Sequence, residues 1–175
     1  MGWRSRISRI TARRIFVVVT ALILIFLVRL LFITPLKIAC RALNIWFKER
    51  VYNKPADMAL NVDIAWAVSL ASRKARGSRC LDRALVAKAL LCIFRRDSLL
   101  QVGMAADPDG RLRGHAWIET AAGIVVGGNQ AELQKYKPLP QAMTLEQQII
   151  FFLAMQRNSG ANARNRASYQ ALNVQ

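Results

Sequence analysis

"SRCLDRALVAKALLCIF", residues Ser78 to Phe94, decides the fold: a cysteine opens a helix that is apolar almost all round, interrupted only by Asp82, Arg83 and Lys88. A helix with no continuous polar face is buried on every side. Cys80–Phe94 is therefore expected to be the central helix, with Gly77 ending the basic stretch "SRKARG" ahead of it. Unpaired N–H groups and the positive end of the macrodipole surround a thiol in the first turn and favour thiolate. Cys92, deep in the same helix, reads as a packing residue.

Downstream the period of the apolar residues drops to two. "LLQVGM" places Leu100, Val102 and Met104 on one face, "DPDG" at 107–110 is a turn, and "RLRGHAWIE" resumes extended structure. "TAAG" turns again and Ile124–Val126 forms a third strand. Upstream, Leu60, Ile64, Ala67 or Val68, and Ala71 recur at helical spacing within Asp57–Arg73, and Leu145–Met155 reads as a closing helix. A helix followed by an antiparallel meander predicts an α+β fold in which the cysteine-bearing helix packs on a small antiparallel sheet.

The N-terminal third differs in character. "IFVVVTALILIFLVRLLFI", Ile15 to Ile33, is the longest apolar run, stopped by Pro35, and Leu36–Val51 reads as a second, more amphipathic helix. The uncharged core Ile15–Val28 spans only 14 residues, a length that suits a buried or interfacial helix better than a full span, although Arg29 can snorkel from near one end. Whether residues 15–33 cross a membrane stays open at this stage. Pro55 breaks the helical pattern. Three segments follow: 1–54, a basic N-terminus with apolar helices for docking or membrane association; 55–156, the core; and 157–175, a polar tail with too few apolar residues to fold alone.

Lys and Arg total 26 against 10 Asp and Glu, a net charge of +16, and nine basic residues precede the first acidic one, Glu49. An anionic membrane surface or another acidic partner fits this balance. Nucleic acid is not expected, because the arginines are not interleaved with aromatics and no nucleic-acid module is present. Cys40, Cys80 and Cys92 are odd in number and lack C-x-x-C spacing, and His115 is the single histidine. That argues against a disulfide framework and a zinc site, predicts no metal or cofactor, and favours a reducing cytoplasm, with contact to the inner face of the membrane as the variant.

A cysteine nucleophile needs a base to accept its proton, and His115 alone qualifies. It lies on a predicted strand, 35 residues after Cys80, so contact requires the meander to pack against the helix tip. "SRCLDRALVAKALL", "LLQVGM", "GHAWIETAAGIVVGG" and "YKPL", in that order, resemble the transglutaminase-like cysteine peptidases of lasso-peptide biosynthesis, the B protein, in the form whose peptidase half is a separate chain. The resemblance is best over residues 60 to 140. It implies a transglutaminase-like (papain-like) core, Cys80 as nucleophile, His115 as general base and then acid, and removal of the leader from a precursor peptide. It also implies a separate leader-recognition protein and an ATP-dependent lasso cyclase as partners. One position departs from the pattern: the aspartate common twelve residues after the histidine is Gly127 here. Asn129, Gln130 or a carboxylate from elsewhere is left to orient the imidazole, with Asn129 preferred. A weak or inactive scaffold associated with a membrane or a biosynthetic complex is the alternative reading. Trp117, on the face of His115, either walls a substrate groove or fills the core.

Overall fold

The computed structural model describes residues 3–35, 38–39, 41–43, 47, 52, 54–55, 57–75, 77–107, 112–140, 143–144 and 146–154. In chain order its elements are α1 (Trp3–Ile33), α2 (Met58–Lys74), α3 (Cys80–Ile93), β1 (Leu99–Ala106), β2 (Leu112–Thr120), β3 (Gly123–Val126), α4 (Gln130–Leu133), β4 (Lys137–Pro138) and α5 (146–154). The strands form one antiparallel sheet in the order β3-β2-β1-β4. This is the α+β arrangement that the change of period predicts.

The central helix is α3. Leu81, Ala84, Leu85, Val86, Ala87, Ala89, Leu90 and Leu91 are all buried, which accounts for a sequence with no polar face. On one side α3 meets β1 and β2. In the register of that pair Leu100 lies opposite Ile118 and Val102 opposite Ala116, giving a buried apolar face to the sheet. Helix α2 starts at Asp57, whose Oδ1 accepts the Leu60 N–H at 3.0 Å, and it buries Leu60, Ile64, Ala67, Val68 and Ala71 at the predicted spacing. The buried Asn61 satisfies its amide by donating to Thr120 Oγ1 at 2.9 Å, which ties α2 to the end of β2.

Helix α1 covers the far side of α2 and α3. Near its start Arg13 and Arg14 grip the buried carboxylate of Asp63 in α2, at 2.5 and 2.9 Å, and Phe16 meets Phe94 edge-to-face. Near its end the Arg29 guanidinium lies 3.4 Å from where a Cβ on Gly77 would sit. The helix therefore runs alongside α2 in the same direction and antiparallel to α3. Val17, Ala21, Leu24, Ile25 and Val28 recur every three or four residues and are buried in the same core as α3. Burying the four larger of these contributes roughly 6–12 kcal/mol of transfer free energy. That is comparable to the whole stability of a domain. The segment expected as a separate docking element thus gives one face to the core and keeps the other outward.

Some expectations fall partly or wholly outside the described residues. Of the helix expected at 36–51, positions 38, 39 and 41–43 are helical, and Cys40 and the tail 157–175 are not described. The closing helix is present over 146–154, with Ile149 and Phe152 buried. Two short elements have no counterpart in the sequence reading. One is α4; the other is β4, which adds an edge to the sheet by pairing with Gly103 and Met104 of β1.

Candidate active site

Cys80 opens α3. Ahead of it Arg79 is extended, and its N–H donates to Asp82 Oδ2 at 3.0 Å, so the carboxylate three residues into the helix closes the turn that presents the thiol. Asp82 is buried. Its role is that of a cap rather than a proton donor to substrate.

The sulfur reaches the sheet at a gap in its hydrogen bonding. In an antiparallel strand the N–H and C=O of one residue point to the same side. The Ala116 carbonyl points toward Gly127, 3.1 Å from where a Cβ there would lie, so the Ala116 N–H faces that side too. Pairing of β2 with β3 stops at Ile118 and Val126, which leaves this N–H without a strand partner. It is one of the backbone groups that act on the Cys80 thiol, favouring its charged form. The cysteine therefore lies near the backbone of Ala116, the residue after His115.

The His115 ring is held from several directions. Its Nε2 is 2.5 Å from the Gly127 carbonyl. A carbonyl can only accept, so Nε2 carries the proton and Nδ1 keeps the lone pair that a base requires. The ring of Tyr136 lies nearly parallel to the imidazole with centroids 4.9 Å apart, and that of Trp117 does so at 6.3 Å. Trp117 is buried, so of its two expected roles the structure supports packing. Its indole fits over Gly103, where a Cβ would come within 2.9 Å of the ring, and its own Cβ lies against Gly127.

Asn129, preferred from the sequence as the third member, is engaged elsewhere. Its Oδ1 accepts the Glu132 N–H at 2.9 Å and its N–H donates to Glu132 Oε2 at 3.2 Å, a reciprocal cap at the start of α4. The chain leaves β3 through Gly127 and Gly128, both at φ +120°, a conformation that turns the Gly127 carbonyl back toward the imidazole. The group that meets His115 is the backbone carbonyl of Gly127, the position that lacks the aspartate, and not the Asn129 side chain preferred from the sequence. Neither that carbonyl nor Tyr136 was found by sequence reasoning. The signal for Tyr136 is its place at the head of the "YKPL" motif, just before the edge-strand pair Lys137–Pro138.

The electrostatics of Cys80 differ from those of an exposed helix tip. Burial pushes its thiol above the ordinary value and outweighs the opposing influences of the Ala116 and Leu81 N–H groups and of Arg83. The expectation that the helix terminus alone favours thiolate is corrected to this extent: desolvation outweighs it and holds the thiol above its ordinary value. Alkylation of Cys80 by iodoacetamide, followed by peptide mass mapping, is accordingly expected to accelerate about tenfold per pH unit between pH 7 and 9. A rate already level below pH 7 would instead reveal a resting thiolate–imidazolium pair. Among the described residues no three His, Cys, Asp or Glu side chains converge in a way that would hold a metal ion.

A family model described as the transglutaminase-like superfamily matches residues 26–141, which include the last eight residues of α1, all of α2 and α3, and the whole sheet. No curated protein and no solved structure matches the chain.

Proposed function

This chain belongs to the transglutaminase-like superfamily, which includes cysteine peptidases, and from that premise we propose that it is a cysteine endopeptidase that removes the leader from a lasso-peptide precursor. What supports the peptidase reading is a cysteine at the start of α3 that lies near the backbone of Ala116, next in sequence to His115, together with an imidazole oriented by the Gly127 carbonyl. The leader-peptidase reading rests on the resemblance carried by "SRCLDRALVAKALL" and "GHAWIETAAG".

In this mechanism His115 Nδ1 accepts the Cys80 proton as the sulfur attacks the scissile carbonyl carbon. The N–H groups of the first turn of α3, that of Cys80 among them, donate to the oxyanion. The imidazolium returns its proton to the departing amine as the C–N bond breaks, leaving an acyl thioester on Cys80. Water then attacks the thioester, His115 takes its proton, and the carboxylic acid and free thiol are released. The Gly127 carbonyl orients the ring throughout. It carries no net charge, so it stabilises the imidazolium less than a carboxylate does, and with a buried thiol this favours proton transfer during attack over a preformed ion pair.

Leader recognition is assigned to a separate protein and macrolactam closure to an ATP-dependent cyclase, both carried over from the resemblance. The direct test is to incubate the purified chain with a lasso precursor and its leader-recognition protein, then look by mass spectrometry for leader and core as separate peptides. A precursor left whole under those conditions, with the partner bound, would overturn the proposal.

A further inference from the structure

The outward face of α1 is as apolar as its buried one. Ile15, Val19, Ile23, Phe26, Leu30 and Ile33 recur every three or four residues and are all about half exposed or more, Ile33 reaching 80%. At 3.6 residues per turn they fall within an arc of roughly 80°, opposite the stripe Val17–Ala21–Leu24–Val28 that enters the core. A continuous apolar ridge of this length is not left in water by a soluble monomer.

Charge indicates what covers it. Arg4, Arg6 and Arg9 lie in the first turns of α1, ahead of the Arg13 and Arg14 that Asp63 already holds, Lys37 and Arg41 follow its end, and no acidic residue occurs before Glu49. An apolar ridge with cations at both ends matches the boundary between acyl chains and anionic headgroups.

We propose that α1 lies in the plane of an anionic membrane surface, its Ile15–Ile33 ridge in the acyl boundary, and does not cross the bilayer. Its length and composition would suffice for a span. Crossing, however, would strip Val17, Leu24, Ile25 and Val28 from the core and pull Arg13 and Arg14 off Asp63. Lying flat keeps every one of those contacts. Because α2 and α3 separate α1 from the sheet, the His115 corner then remains on the aqueous side, open to a soluble precursor. This holds whether or not the chain cleaves peptides.

The test uses the full chain with vesicles of phosphatidylcholine and phosphatidylglycerol (3:1) and with vesicles of phosphatidylcholine alone. Flotation is expected to show binding at least tenfold tighter to the anionic vesicles, release at pH 11, and a loss of at least tenfold in Phe26→Glu/Leu30→Glu. Both of those positions are exposed, so circular dichroism of the variant should match that of the parent. Equal binding to both vesicle types, retention at pH 11, or unchanged binding by the variant would each overturn the proposal. So would a lipid-free dimer that the same substitutions split into monomers, since a second copy would then be what covers the ridge.

Discussion

Cys80→Ala is expected to lower leader cleavage by about a thousandfold or more, with His115→Ala lowering it by a similar factor and the double variant no further. The sulfur is the only atom of the chain proposed to bond to substrate, and its proton has one acceptor, so the two residues act as a unit and their losses do not add. Cys80→Ala removes a single half-buried atom at a position where alanine suits a helix, and its unfolding midpoint should stay close to that of the parent. Cys92 remains in this variant as an internal control. Cleavage within tenfold of the parent in either single variant would assign the chemistry to other residues.

Gly127→Asp is the second expected result, and its direction is opposite to what motif reasoning suggests. It installs the carboxylate common at this position in the family that the sequence resembles, yet it should both destabilise the protein and abolish cleavage. A Cβ at residue 127 would sit 2.3 Å from Trp117 Cβ and 2.8 Å from its Cα, main-chain neighbours that cannot swing aside, and the backbone holds φ +120°. Strain of that kind costs roughly 1–3 kcal/mol and overpacking of a buried site about the same again. Against a typical total of about 5–15 kcal/mol the loss is large enough to read directly in a urea melt. Gly127→Ala separates sterics from charge, since it should destabilise to a similar extent with no carboxylate. Asn129→Ala, by contrast, removes a helix cap worth about 1 kcal/mol and leaves the Gly127 carbonyl on His115. A stable and faster Gly127→Asp would show that the backbone carbonyl is not the working partner.

The architecture was legible wherever burial imposed a period. Helix α3 follows from a run with no polar face, α2 from four or five apolar residues at helical spacing, and the hairpin β1–β2 from alternation around "DPDG". Cys80 and His115 were legible because the chain has one histidine and one cysteine at a helix start. What was hidden had no side-chain signature. Helix α4 and strand β4 span four and two residues, too short for any period, and are held by the Asn129 cap and by pairing with Gly103 and Met104. Asn129 attracted attention because an amide can orient an imidazole. The same amide is also a strong helix cap, and only the backbone path after Val126 decides between the two roles. The rise in the Cys80 pKa was likewise out of reach, because it depends on what packs over the helix tip rather than on the tip itself.

The partner of His115 Nε2 is part of the peptide backbone, and that sets how this corner of the molecule can evolve. Where a side chain orients an imidazole, a single codon change can delete, shorten or recharge it. Here every amino acid brings the same C=O group to position 127, so mutation can displace the acceptor without changing its chemistry. Selection on the orientation of the ring would therefore be felt at Gly127 and at Trp117 behind it, as a requirement on the path of the chain.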